Sequence, residues 1–287
     1  MRMQNLCPPP WLAYPALECP SMGWRMGAGE AFLEQYIPWH NALTPEEQEE
    51  YSRLFPAPLP WQCWNDAEDG ILRHGQLALP LWQPGGKPRY TRRWAEAAEA
   101  AGTLPQLLLF WGHTPAKDGS MTKACFSQWW GSSFVIVGKE YCCMEQCMMA
   151  GKALLFRDMD TFDAIMAEED PKKIKALGRR VTPFDGSLWD EVKHPLILNG
   201  NYAKFTQNEA LRQFLLSTGD SLLVEASPYD TIWGIGLCAE NPDAQHPAKW
   251  RGQNLLGFAL MEVRDEIRRV YAHEDRCRDA LEKLRHE

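Results

Sequence analysis

Residues 224 to 236 read Val-Glu-Ala-Ser-Pro-Tyr-Asp-Thr-Ile-Trp-Gly-Ile-Gly. The stretch from Ser221 to Glu225 has the length and apolar content of a short buried strand. Pro228, Tyr229 and Asp230 then impose a turn, because proline fixes φ and aspartate bonds its own backbone locally. A strand that ends in a rigid loop therefore displays Asp230 beside the Trp233 indole, with Gly234 and Gly236 closing the segment. Acids and an indole on one loop suit a flat, polar ligand. An ordinary turn over a buried tryptophan reads equally well from these residues alone. Glu225, the last residue of the strand, either anchors the loop or touches a ligand.

Outward from this stretch the chain is regular. Leu107 to Trp111 and Ser133 to Val137 are apolar runs of strand length, and Gly138-Lys139 makes a turn after the second. Helices are expected at about 144 to 156, 159 to 168, 171 to 178, 187 to 200 and 208 to 217, the last capped by Asn208. Asn254 caps a final long helix. There Leu256, Leu260, Val263, Ile267 and Val270 recur at three- and four-residue spacing and form a buried stripe. Arg264 stands beside that stripe, where a structural ion pair is expected. Residues 272 to 287 are highly charged and extend as an exposed helix.

The first hundred residues differ. Tryptophans at 11, 24, 39, 61, 64, 82 and 94 alternate with prolines, and proline density argues against long helices there. Thr44 before Pro45-Glu46-Glu47 is a strong helix start, and Arg92 to Ala101 a helix ended by Gly102. Leu77 to Trp82 reads as a short edge strand, and Met22 to Gly27 as a tryptophan packed in an irregular lobe. The chain divides into an accessory region at 1–105, a main domain at 106–271 and a charged tail at 272–287.

Composition bounds the function. A chain of 287 residues that is 45% hydrophobic and 24% charged suits a soluble globular protein. No basic segment followed by a long apolar run opens the chain, and no stretch has the length of a membrane span, so a cytoplasmic protein without membrane contact is expected. Nine cysteines fit reduced thiols better than a disulfide framework. Cys142, Cys143 and Cys147 lack the partners that complete a tetrahedral set, so no metal is expected. A net charge of −8 disfavours long-range attraction to a nucleic-acid backbone.

Other motifs stand in order around the opening stretch: Phe126-Ser127, Tyr141, Glu145, Lys152, Lys175 with Gly178-Arg179, Trp189, Lys204-Phe205, and Asn254-Leu255-Leu256-Gly257. With Leu107 to Trp111 and Leu260 to Arg264 they resemble the NADAR family, also called YbiA-like proteins, over residues 106 to 271. The resemblance implies an α+β fold, mainly helical, with a small β-sheet carrying the pocket loops, beside the Trp/Pro-rich accessory region.

It also implies catalytic roles for Glu145, Asp230 and Trp233. Glu145 lies in the first turn of its helix, sharing a face with Met148 or Met149 and Lys152. Lys152, Lys175, Arg179, Trp189, Lys204, Gly234 and Gly236 are the implied substrate-binding positions. Lys204 is a phosphate contact, Trp189 belongs to core or site, and the glycines give the backbone a close approach to a ligand. Relatives are N-glycosidases that need no cofactor. The implied activity is hydrolysis of a ribose C1′–N bond, whose cleavage builds positive charge on the sugar that a carboxylate stabilises. The implied substrates are ADP-ribosylated guanine, in DNA or RNA, or the phosphoribosyl-amino-pyrimidine intermediates of riboflavin biosynthesis. A non-catalytic module that binds ADP-ribose is the alternative. The division of labour between the two acids stays open, with Glu145 favoured for water activation or cation stabilisation, Asp230 for orienting the ribose hydroxyls or the water, and Trp233 for shaping and desolvating the site. The partner of the N-terminal region is unassigned.

Overall fold

The computed structural model describes residues 6–19, 21–64, 71–74, 77–83 and 86–284. In chain order its helices are α1 (Pro10–Ala13), α2 (Ala28–Asn41), α3 (Pro45–Leu54), α4 (Arg92–Ala100), α5 (Met144–Leu155), α6 (Met159–Met166), α7 (Pro171–Gly178), α8 (Gly186–Thr206), α9 (Glu209–Ser217), α10 (Leu255–Val270) and α11 (Arg278–Leu284). The strands are β1 (Ile71–His74), β2 (Leu77–Pro80), β3 (Leu107–Phe110), β4 (Phe134–Ile136), β5 (Lys139–Tyr141) and β6 (Leu222–Glu225). They pair two by two: β1 with β2 and β4 with β5 antiparallel, and β3 with β6 parallel. The fold is the expected mainly helical α+β architecture.

The parallel pair positions the site. Its register sets Leu107 opposite Leu222 and Phe110 opposite Glu225, so both strands end together. Leu222, Leu223 and Val224 are fully buried, which is why an uninterrupted apolar run precedes Glu225. Helix α10 lies across β6 with its stripe from Leu256 to Val270 in the core. Asn254, in the left-handed region at φ 55°, does not cap α10 through its side chain. It ties the helix to the strand instead: its Oδ1 accepts the Glu225 N–H at 2.9 Å and its Nδ2 donates to the Leu223 carbonyl at 2.9 Å. The first N–H groups of α10 find the carbonyls of Ile232, Trp233 and Gly234 in the loop after β6.

Helix α5 packs against α6, α7 and α8, and α8 against α10. Helix α8 runs on to Thr206, beyond the expected end near residue 200, and passes through Pro195. Burial of the helix on nearly all sides from Val192 to Thr206 outweighs the lost proline hydrogen bond. Lys204 and Phe205 therefore sit in the last turn of α8, not before α9. Asn208 occupies the N-cap position of α9 but does not cap it through its side chain, whose Nδ2 donates to the carbonyls of Ser133 and Lys204.

The N-terminal hundred residues do contain a long helix. Helix α2 has 14 residues and accommodates Pro38 three positions before its end. Thr44 forms a capping box with Glu47, and Gly102 takes a positive φ of 68° after α4. Trp24 is buried and its indole donates to the Glu18 carbonyl at 2.8 Å. Leu12, Tyr51, Phe55, Trp82 and Ala95 belong to the same hydrophobic cluster as α5, α8 and α10. Two buried acids of α10 face this region: Glu266 accepts the Leu59 N–H at 2.6 Å and Glu262 the Arg89 N–H at 2.7 Å. The C-terminal tail is less exposed than its charge suggests, because Cys277 and Leu281 are buried; residues 285–287 of that expected tail lie outside the described ones. No helix of the described residues is long and apolar enough to cross a membrane.

Candidate active site

The loop after β6 folds on itself. Asp230 Oδ1 accepts the backbone N–H groups of Ile232 (2.9 Å) and Trp233 (2.8 Å), so this acid holds its own turn. Ile235 N–H returns to the Glu225 carbonyl and Gly236 N–H to that of Asp230. A Cβ on Gly234 would stand 2.8 Å from the Glu225 oxygen. The close approach that requires glycine is thus to the chain's own backbone and not to a ligand. Trp233 is buried at the base of this loop.

Opposite stands the N-terminus of α5. The Glu145 N–H donates to the Gln128 carbonyl at 2.9 Å, and the Trp129 indole donates to Glu145 Oε2 at 3.1 Å. The second oxygen, Oε1, is buried without a hydrogen-bond partner among the described residues. Glu145 is 2% exposed. Burial pushes its carboxyl up to about 6, with Asp230 adding to the rise, while Lys175, the Trp129 indole and Arg179 pull the other way.

Glu225 joins this cluster. Its Oε2 is buried and unpartnered among the described residues. Burial raises its carboxyl to about 8, and the nearby charges of Asp230 and Glu145 act in the same direction against Lys175. Three carboxylates from two elements and their loop therefore meet near one lysine. The Lys175 ammonium also lies 5.8 Å from the centre of the Trp129 ring. Gln128, next to Trp129 in sequence, adds a further buried oxygen without a partner among the described residues.

Aromatic side chains flank the C-terminal edge of the parallel pair. Trp111, just past β3, is 56% exposed and lies 6.5 Å from Tyr229, which is 88% exposed. His113 meets Trp129 edge-on at 5.3 Å. Large exposed rings at the end of parallel strands are well placed to stack on a flat base.

Of the expected site residues, the structure brings together Glu145, Asp230, Lys175 and Arg179, and Trp233 joins them through its backbone N–H on Asp230. It places others elsewhere. The Lys204 ammonium is fully buried and donates to the carbonyls of Cys125 (2.7 Å) and Ser127 (3.1 Å), so it holds the loop carrying Trp129 and meets no phosphate. Burial lowers it to about 8. Lys152 donates to the Gly178 carbonyl at 2.8 Å and lies over the rings of Phe184 and Trp189. That group sits two turns along α5 from Glu145, about 10 Å away by helical rise. Met148 and Met149 are core residues and form no pocket wall. Gly234 and Gly236 shape the loop.

Trp129 escaped the sequence reading, and Glu225 was weighed there and left open. The Trp129-Trp130-Gly131 run carries no periodicity that separates site from core. A carboxylate closing a fully apolar strand was the available signal for Glu225. Among the described residues no group of three His, Cys, Asp or Glu side chains is arranged to hold a metal.

Comparison with known proteins follows this geometry. The family model for the NADAR domain matches residues 109–268. The chain is 48% identical over 146 residues to N-glycosidase R617 of Acanthamoeba polyphaga mimivirus, covering 49% of this chain and 86% of that protein. It is 34% identical over 146 residues to N-glycosidase Npun_R5314 of Nostoc punctiforme, covering 51% and 86% respectively. Among solved structures, the E. coli protein YbiA aligns with a TM-score of 0.45 and 26% identity, over 64% of this chain and 90% of that one.

Proposed function

Because the chain belongs to the NADAR domain family, whose model matches more than half of it, we propose that it hydrolyses an N-glycosyl bond between ribose C1′ and a base or amine nitrogen. The observation that carries this reading is the buried acid cluster, in which Glu145 and Glu225 each keep an unpartnered oxygen while their carboxyls sit at different heights. Two acids with separated proton affinities suit general acid–base work at one bond.

At neutral pH Glu225 holds its proton and Glu145 is mostly ionised. Glu225 donates that proton to the departing nitrogen as the C1′–N bond breaks and its electron pair leaves with the base. Glu145 stabilises the positive charge on the sugar and then takes a proton from the water that adds to C1′. The Trp129 indole holds the Glu145 carboxylate in place. Asp230 keeps one oxygen on its own turn and has the other to orient a ribose hydroxyl or the water. Lys175 and Arg179 supply positive charge for a substrate phosphate, and Trp111 and Tyr229 stack on the base.

The substrate we favour is a phosphoribosyl-amino-pyrimidine of the riboflavin route, since a net charge of −8 opposes a long nucleic-acid partner. ADP-ribosylated guanine is the second substrate to test. Purified protein is offered the amino-pyrimidine intermediates and, separately, an oligonucleotide carrying ADP-ribosyl guanine, and the released ribose phosphate or ADP-ribose is followed. Turnover of the first and not the second is expected. Turnover of the oligonucleotide alone reverses the substrate assignment. No turnover of either, with ADP-ribose still bound, overturns the hydrolase reading in favour of a binding module.

A further inference from the structure

At the opposite end of β6 from Glu225 lies a cavity of about 540 Å³ that the acid cluster does not use. Four arginines line it: Arg89, Arg264, Arg268 and Arg269. Two carboxylates, Asp220 and Asp265, share the lining, so its residues carry an excess of positive charge. Tyr90 and Trp94 form an aromatic wall, with ring centres 4.9 Å apart in an edge-on arrangement.

Arg264 is the built element. It is 2% exposed and forms no ion pair among the described residues; its Nη1 donates instead to Thr218 Oγ1 (2.9 Å) and the Ser221 carbonyl (2.8 Å). Its Nε is buried with no hydrogen-bond partner among the described residues. The Nε side of a guanidinium is one of the edges that grips a carboxylate or phosphate with two parallel hydrogen bonds. Holding the turn before β6 explains Nη1 and leaves this edge unexplained. The other arginines are on the rim. Arg89 pairs with Asp265 at 3.2 Å and Arg268 with Asp220 at 2.9 Å. The Arg268–Asp220 pair is exposed on both sides and Arg89 is exposed in the other, and such pairs are weak enough for a phosphate to displace.

We propose that this cavity binds the phosphate of a free phosphorylated nucleoside, gripped by Arg264, Arg268 and Arg89, with its base against Tyr90 and Trp94. The volume suits a ligand of that size. A cavity of bounded size on a chain of net charge −8 favours a mononucleotide over a polymer. The site is distinct from the acid cluster, since β6 separates Ser221 from Glu225 by about 13 Å at strand rise. It is also composite: Arg89, Tyr90 and Trp94 lie outside the residues matched by the family model. The proposal does not depend on the hydrolase reading.

Isothermal titration of the full chain with AMP, inorganic phosphate and adenosine tests it. Saturable binding of AMP is expected, weaker binding of phosphate and none of adenosine. The double substitution Arg89→Ala and Arg268→Ala is on the rim and should leave the ligand-free melting temperature in place while weakening AMP by about tenfold or more. Lys175→Ala, at the acid cluster, should leave AMP binding unchanged. Trp94→Leu should weaken AMP more than phosphate. Absence of saturable AMP binding overturns the proposal. So does AMP binding that survives the double substitution and is lost in Lys175→Ala, because the ligand then occupies the acid cluster. Adenosine binding as tightly as AMP removes the phosphate from the recognition. An oligonucleotide that binds where AMP does not overturns the free-nucleotide assignment.

Discussion

Lys204 and Glu145 are both charged and both buried, and they stand on the two sides of one loop, residues 125–129. The Lys204 ammonium is paired with two carbonyls of that loop. The Glu145 carboxylate takes a single indole donor from it and keeps Oε1 unpartnered among the described residues. Burial alone does not separate structure from function. A buried charge that is bonded inward serves the fold, because withdrawing it leaves the buried Cys125 carbonyl without that donor. A buried charge that is only half bonded carries a proton affinity set by its surroundings and an oxygen available for chemistry. Glu225 belongs with Glu145 by the same criterion.

Substitutions at these positions should separate the two classes. The largest effect is expected for Glu145→Gln: a loss of about a thousandfold in kcat, equivalent to about 4 kcal/mol, with the melting temperature unchanged or raised. Single-turnover release of ribose product and a thermal melt on one preparation check it. Activity within a few fold of the parent would return Glu145 to a structural role. Lys204→Met should do the reverse. It removes the donor to the buried Cys125 carbonyl and one of two donors to the Ser127 carbonyl, and should lower stability by about 2 kcal/mol, measured by urea unfolding, while whatever protein folds retains turnover.

Glu225→Gln should reduce kcat by about a hundredfold, within the usual range for a general acid. In the parent, activity should fall at high pH as Glu225 loses its proton near 8, and at low pH as Glu145 gains one near 6. The substitution should remove the alkaline limb. It should also act on stability with a definite sign. Glu225 binds its proton more tightly folded than unfolded, so its contribution is fully present below the unfolded value of 4.5 and is lost as pH rises through about 8. Glu225→Gln should therefore melt higher than the parent at pH 9 and close to it at pH 4. A difference of opposite sign would show that the carboxylate is ionised and paired. The smallest effect is expected for Trp129→Phe. Loss of the indole donor lets the Glu145 proton affinity rise, so the acid limb should move to higher pH, with about a tenfold loss of kcat at pH 6.

Local elements were legible because their codes are local. The stripe from Leu256 to Val270 announces α10 by spacing alone, and Leu222 to Val224 announces β6 by an apolar run bounded by turn residues. Thr44 and Glu47 announce α3 through a cap. Reading failed where tertiary packing overrode a local rule. Proline density argued against long helices in the first hundred residues, yet α2 has 14 residues and contains Pro38, and α8 runs on past the expected end near residue 200. Asn208 and Asn254 had the residue type of a helix cap, but each found better partners in neighbouring elements.

The same division holds at the site. Asp230 and Trp233 lie three residues apart in a loop whose turn is dictated by Pro228 and Asp230, so their proximity could be read directly. Glu145 and Glu225 lie 80 residues apart. Their approach depends on the packing of α5, α8, α10 and β6, which no short-range pattern encodes. Lys204 shows the converse: its motif position pointed to a ligand, and only packing revealed that its charge is spent on the Trp129 loop.

By itself the sequence determined the strand and loop from Val224 to Gly236 and most helices, which follow from spacing, turn chemistry and hydrophobic period acting over a few residues. The mainly helical α+β class and the residue types of an acid–base site came from the family resemblance that its ordered motifs carry. The tertiary structure alone decided which acids share a site, which lysine faces them, and which buried atoms lack partners. Proton affinity and hydrogen-bond satisfaction are properties of a three-dimensional environment, and that environment is assembled from segments far apart in the chain.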